Sequence, residues 1–382
     1  MYQDKPISLV EHFADMKDPR TRRRVEHLLV EIITITICAV ISGAEDWVGV
    51  AEFGRAKEKW LKEKLKLRLP KGVPSASTYR RVFILLDPEA FQNNFINWIK
   101  TVNEVSEGEV VPIDGKRLRR SHDGRLGQAA IHMVSAWAEG SGLVLGQVKT
   151  DDKSNEITAI PQLLEMLTLK GCIVTIDAMG CQTDIAQKVV TKGADYALAV
   201  KGNQGTLYAN IIDLFAFAQE THFEQIAHDF YQTVEKNHGR LETRQYWTIF
   251  EPEFIAYLDP THKWPQFNSI GMAHSQVQAG SRSSSETRYY ICSLAGQARE
   301  FARAVRGHWG IENKVHWVLD VAFREDDSRL RAGHSAQNFA IIRHIALNAL
   351  HQDRSRQCGT KNKRLIAAWN DDYLFDVLAN LS

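Results

Sequence analysis

Two short apolar runs that each stop on an aspartate constrain this chain more than any other feature. The first is Val110 to Arg120, Val-Val-Pro-Ile-Asp-Gly-Lys-Arg-Leu-Arg-Arg, and the second is Cys172 to Asp177, Cys-Ile-Val-Thr-Ile-Asp, followed by Ala-Met-Gly. Both are too short for a helix and rich in β-branched residues, so each reads as a buried strand, ending at Asp114 and Asp177. A carboxylate at the end of a buried strand is costly unless a cation or a metal binds it. Neighbouring strands would set the two side by side, with a divalent ion between them. Pro112 is expected near the start of its strand, because proline cannot donate to a ladder.

With 382 residues the chain can bury a sizeable core divided among two or three domains. Its composition, 44% hydrophobic and 24% charged, is that of an ordinary globular protein. The net charge of +1 gives no sign of a nucleic-acid partner, but the basic residues are clustered. They gather at Arg20 to Arg24, Arg55 to Lys71, Lys116 to Arg120 and Arg354 to Arg364. The five cysteines lack Cys-x-x-Cys spacing, which fits a reducing cytosol and argues against a disulfide framework or a zinc site. No secretory leader is read. The most apolar segment, Leu28 to Ser42, is interrupted by Glu31 and falls short of the roughly 20 residues that span a bilayer. It is expected to be a core helix or a buried segment.

In chain order, residues 1–105 read as an all-α N-terminal domain assigned to DNA binding. Asp46 is placed to cap a helix through Phe53, and Glu58 to Leu67 forms a Lys-rich amphipathic one. Pro74 with Ser75 or Ser77 starts another, which carries Arg80 and Arg81 early, as a helix-turn-helix reader would, with a helical packing domain the equal alternative. Ala129 to Glu139 and Leu143 to Lys149 are predicted strands joined by the turn Glu-Gly-Ser-Gly. A helix over Asn155 to Thr168, the second aspartate strand, a helix near Thr183 to Lys192 and a strand over Asp195 to Lys201 follow. Three strands, helix, strand, helix, strand is the order of an RNase H-like mixed sheet with helices on its faces. The fold class is therefore α/β, with the catalytic core at 106–205 and 291–350. Residues 206–290 form a β-rich insertion, in which Gly280 to Ser285 reads as a mobile turn, and 351–382 form a C-terminal helical tail.

The returning helix, Arg303 to Val321, has an apolar stripe of Ile311, Val315, Val318 and Ala322 at about 100° per residue. Glu312 falls at the edge of that stripe, near His308 and His316 in azimuth, where a third carboxylate could meet the two aspartates. Gly310 inside a helix costs about 1 kcal/mol relative to alanine, which close approach to a neighbour would explain. Three carboxylates holding two ions about 3.5–4 Å apart form a clamp for displacement at phosphorus. Mg²⁺, with Mn²⁺ as a substitute, suits oxygen ligands and phosphate. His308, Glu312 and His316, spaced by four, also admit a rival reading as a helical zinc site, although the order is not His-Glu-x-x-His.

These residues carry a resemblance. Ile-Asp-Gly-Lys at 113–116, Thr-Ile-Asp-Ala at 175–178, Val-Lys-Gly-Asn-Gln at 200–204 and Arg-Gly-His-Trp-Gly-Ile-Glu-Asn at 306–313 resemble the H-repeat-associated group of DDE insertion-sequence transposases. So do His-Trp-Val-Leu-Asp-Val at 316–321 and Glu-Asp-Asp-Ser-Arg at 325–329. The resemblance implies cleavage at terminal inverted repeats, then transfer of the freed 3′-OH into target DNA. It makes Asp114, Asp177 and Glu312 the catalytic metal ligands, with two Mg²⁺ ions per site. DNA contacts are expected from Arg80, Arg81, Lys116, Arg117, Lys201, Asn203, Arg240, Arg306, His308, Lys314 and His316, although the alternating charges around Arg240 also read as solvated ion pairs. Relatives in the wider superfamily carry Tyr, Arg and Lys around the glutamate, where this chain has Val305, His308 and Leu319. Asp320 and Glu325 stay open as alternative third ligands. The expected partner is double-stranded DNA, bound by a homodimer, in a bacterial cytoplasm at the nucleoid, with no membrane. The alternative is a catalytically inactive DNA-binding remnant of a transposase.

Overall fold

The computed structural model describes residues 11–21, 25–102, 106–122, 129–150, 156–237 and 239–380. Arg22 to Arg24 of the first basic cluster, Asn155 at the expected helix start and His238 lie outside them. Nine strands form one sheet: β1 (Val110–Arg117), β2 (His132–Ala138), β3 (Leu143–Lys149), β4 (Ile173–Ile176), β5 (Asp195–Val200), β6 (His228–Asn237), β7 (Arg240–Ile249), β8 (Ser269–Ala279) and β9 (Arg282–Cys292). Their order is β3-β2-β1-β4-β5-β9-β8-β7-β6. The first five are the RNase H-like arrangement: β1, β2 and β3 antiparallel, β4 and β5 parallel to β1. The insertion strands continue this sheet, because β9 pairs antiparallel with β5 along Ala197↔Cys292 to Val200↔Tyr289.

Two sequence readings are corrected here. The first aspartate strand does not end at Asp114 but runs to Arg117, held by antiparallel pairing to β2 as far as Arg117↔His132. Pro112 fits because the β1–β2 ladder begins one residue later, at Ile113↔Ala136. The Gly280 to Ser285 tract is mostly strand, since a tight turn at Gly280 leads straight into the ladder Ala279↔Arg282. Ser283 to Ser285 line exposed strand, which tolerates polar residues, so composition alone misreads them.

The N-terminal helices are α1 (Leu29–Ile41), α2 (Trp47–Ala56), α3 (Glu58–Glu63), α4 (Ala76–Leu85) and α5 (Pro88–Val102). Capping follows the sequence: Asp46 accepts from the Gly49 amide at 2.8 Å, and Ser75 accepts from Thr78. α1 is buried almost all round, as a core helix. Its Glu31 is tolerated because Oε1 accepts the amides of Arg68 at 2.7 Å and Leu69 at 3.3 Å. One hydrophobic core runs from α1 through the sheet to the C-terminal helices α12 (Ser335–Gln352), α13 (Thr360–Trp369) and α14 (Asp371–Ala379). No helix among the described residues is long and apolar enough to cross a membrane.

Between these parts lie α6 (Glu156–Met166), α7 (Thr183–Thr191), α8 (Gly205–Glu220), α9 (Pro252–Leu258) and α10 (Ala298–Ile311). α10 crosses β1 and continues through a π turn, Glu312–His316, into α11 (Trp317–Phe323). The wide turn inserts one residue, so the buried stripe passes from Ile311 and Val315 to Leu319 rather than Val318. Gly310 lies where α10 presses on β2: a Cβ there would stand 2.5 Å from Trp137 Cζ3. Gly310→Ala is expected to cost about 1–2 kcal/mol net, overpacking outweighing helix propensity. Urea unfolding at wild-type stability or above would contradict this.

Candidate active site

Parallel pairing of β1 with β4 ends at Ile113↔Ile176, so the next residues stand side by side: Asp114, still within β1, and Asp177, just past the end of β4. Alternation along β1 sends Asp114 and Lys116 toward the π turn and α11, where they meet His316 and Asp320. Gly115 instead faces α6. There a Cβ would lie 2.0 Å from Glu156 Oε1, and Glu156 in turn meets His132 Nε2 at 2.9 Å.

The electrostatics mark this corner. Burial, then the charge of Glu156, push the Asp114 carboxyl up to about 7, with Asp177 and Glu312 adding smaller pushes. Asp177 is also raised, by burial and Glu156, against the pull of Lys201 and two amides. Those amides are Met179 at 3.0 Å and Gly180 at 3.3 Å, which Asp177 Oδ1 accepts as the cap of the following turn. Asn203 donates to Ala178 O at 2.6 Å and so braces the same turn from the end of β5.

Glu312 opens the π turn and is exposed, and its charge reaches Asp114. Among the described residues, no three Asp, Glu, His or Cys side chains converge closely enough to hold a metal ion as they stand. The donor set nevertheless suits a hard cation. Asp114 and Asp177 present carboxylate oxygens side by side, both held above the usual carboxylate range chiefly by burial and the charge of Glu156, the condition that a divalent ion relieves. The alternatives for the third ligand are engaged elsewhere. Lys116 Nζ lies 2.6 Å from Asp320, 3.2 Å from Glu325 and 3.4 Å from Asp326.

Both histidines of the returning helix face the protein. His308 Nδ1 lies 3.1 Å from Thr175 Oγ1, and His316 Nδ1 lies 3.4 Å from Asp114 Oδ2. Burial, the main cause for both, holds each imidazole down to about 4, so each is neutral at pH 7. The π turn breaks the even spacing on which a zinc reading of His308, Glu312 and His316 depends.

Of the basic residues read from sequence, Lys116 is enclosed by its three carboxylates, whereas Arg80, Arg81, Arg117, Lys201 and Arg240 are exposed. Arg306 pairs with Glu235 at 3.3 Å, and Lys314 pairs with Glu139 at 2.9 Å. Sequence reasoning missed Glu156 and His132. A glutamate at a helix N-terminus has an ordinary explanation in the helix dipole, and nothing local ties it to Gly115.

Comparison with known proteins shows which family the chain belongs to. The family model described as "Transposase DDE domain" matches residues 106–349, and the model "DDE_Tnp_1-associated" matches residues 10–99. The chain is 42% identical over 375 residues to the "H repeat-associated putative transposase YhhI" of Escherichia coli K12, covering 97% of both proteins. It is 42% identical over 379 residues to the "Putative transposase YncI" of Escherichia coli O157:H7, covering 98% of this chain and 95% of that one. The matches leave almost none of the chain outside them, and so it belongs to the DDE-domain transposases, in their H-repeat-associated group.

Proposed function

We propose that the protein is the transposase of an insertion sequence, cutting DNA at the element's terminal inverted repeats and joining the freed 3′ ends to target DNA. One observation carries this reading: Asp114 and Asp177 stand adjacent where the paired strands β1 and β4 part, and the charge of Glu312 reaches Asp114. Asp114, Asp177 and Glu312 would hold two Mg²⁺ ions, with Mn²⁺ as a substitute, which when bound activate the attacking oxygen and stabilise the leaving one. In the first step a water oxygen attacks phosphorus, and the 3′ oxygen leaves with a proton as a 3′-OH. In the second that 3′-OH attacks a target phosphodiester, displacing a target 3′ oxygen. The phosphate count is unchanged in both.

The chain's own residues prepare this site in two ways. Neutral His316 packs against Asp114 without adding a positive charge that would compete for it. The Asp177 cap and the Asn203 brace fix the turn beside the second aspartate. Exposed Arg80, Arg81, Arg117, Lys201 and Arg240 supply phosphate contacts, joined by Arg306 and Lys314 at the rim. Two element ends must be handled together, which calls for a homodimer on DNA.

A linear DNA bearing the element's ends, incubated with protein and Mg²⁺, should be cut at the repeat boundary, and EDTA should stop it. Intact DNA under both conditions would refute the proposal. Affinity for the same DNA should fall at least about 10³-fold between ~50 and ~200 mM salt, as released counterions require for six or more phosphate contacts. A flat filter-binding curve across that range would remove the basic residues from the interface.

A further inference from the structure

The feature of the site with no assigned part is Glu156. It is 7% exposed, a burial that carboxylates reach only with a partner. Its partner is His132, which stands opposite Arg117 in the β1–β2 ladder and places Nε2 2.9 Å from Glu156 Oε1. The carboxylate sits on the side of β1 opposite Asp114, and the residue that separates them is glycine. An alanine Cβ at 115 would lie 2.0 Å from Glu156 Oε1 and 2.5 Å from His132 Nε2. Gly115 has negative φ, so its lack of a side chain serves this close approach rather than a turn. Glu156 therefore rests against bare strand backbone. It thereby stands across β1 from Asp114, the neighbour of Gly115.

A fold that only needed a helix start would not bury a third negative charge behind two carboxylates. The arrangement costs stability in the absence of a cation and returns it when one binds. We propose that Glu156, held in place by His132, is a positioning residue of the Asp114–Asp177 site, strengthening divalent-cation binding from behind β1. The inference rests on the proposed metal site and extends it to a fourth carboxylate.

The test is Mn²⁺ binding to the full-length protein without DNA, by isothermal titration calorimetry, alongside thermal unfolding in EDTA. Glu156→Gln keeps the size and a hydrogen-bonding group beside His132 but removes the charge. It is expected to weaken the Mn²⁺ Kd about 10- to 100-fold, the range for groups behind metal ligands, with the metal-free Tm unchanged or higher. An unchanged Kd in folded Glu156→Gln overturns the proposal, as does a Tm loss with Kd unchanged, which would make the residue merely structural. Should Glu156→Gln fail to fold, Gly115→Ala displaces Glu156 while keeping every charge. A weaker Kd supports the proposal and a wild-type Kd overturns it. Asp114→Asn separates the two levels of the argument. If wild type gives no Mn²⁺ binding, or Asp114→Asn binds as wild type does, the metal site itself falls and this inference with it.

Discussion

Asp114→Asn is expected to lose at least about 10³-fold in cleavage rate, some 4 kcal/mol of barrier, while the metal-free protein becomes harder to unfold at pH 8. The two halves come from one cause. Burial and the surrounding carboxylates hold the Asp114 carboxyl at about 7 in the folded chain, against ~3.9 when unfolded. Between those values the folded state binds more protons than the unfolded state, so this residue's contribution makes stability fall as pH rises from ~4 to ~7. Asparagine does not ionise, so it escapes that penalty. The gain should be on the order of 1–3 kcal/mol at pH 8 and should vanish near pH 4, where wild-type Asp114 is already protonated. Urea unfolding in EDTA at the two pH values measures it. A variant less stable than wild type at pH 8 would show that Asp114 is a structural anchor instead. Asp177→Asn and Glu312→Gln should lose cleavage to a similar extent, with DNA affinity within a few-fold of wild type. A wild-type rate in any of the three would exclude that residue from the chemistry.

The adjacency of the aspartates was legible in the sequence because short β-branched runs and buried carboxylates obey local rules, even though β1 runs on past Asp114. Ile113 and Ile176 end the same parallel pair, so reading two strands was enough to place Asp114 beside Asp177. The Leu28 to Ser42 segment was legible as core for the same reason, since hydrophobicity on every side leaves a helix nowhere else to go. The Glu31 exception depends on amides at Arg68 and Leu69, which local pattern does not contain. Lys116 was misleading in the same way. Beside Arg117, Arg119 and Arg120 it reads as part of a DNA-facing run, but its carboxylates lie 204 and 210 residues away in Asp320 and Asp326. The π turn has no residue signature either. It is a packing solution in which one extra residue lets α10 and α11 both bury their stripes, and it fixes where Glu312 stands relative to β1. Local chemistry found the two adjacent aspartates, whereas the partners around them are matters of long-range pairing.

That pairing can be tested at its most buried member. Glu325 is 3% exposed, with Lys116 Nζ at 3.2 Å and Arg343 Nη1 at 3.5 Å. Despite its burial its carboxyl is held below the usual range, because Lys116, Arg343 and His344 outweigh the desolvation. Glu325→Gln leaves Arg343, only 2% exposed, without its counter-charge, and removes one of three from Lys116. Breaking a buried pair from one side typically costs 3–5 kcal/mol, so a loss of about that size is expected in urea at pH 7. The pH dependence runs opposite to that of Asp114. A carboxyl with a lowered folded value contributes stability above its unfolded value near ~4.3, and that contribution is lost as pH falls through the folded value. The gap between Glu325→Gln and wild type should therefore be full at neutral pH and close only on strongly acid solutions. Lys116 lies two residues beyond Asp114, and its partner Asp320 sits on α11, directly after the π turn that begins at Glu312. Loss of the network should thus loosen Glu312 against β1, lowering cleavage even at temperatures where the variant stays folded. If Glu325→Gln unfolds within ~1 kcal/mol of wild type, these ion pairs are not what holds the third carboxylate's helix to the strand of the first.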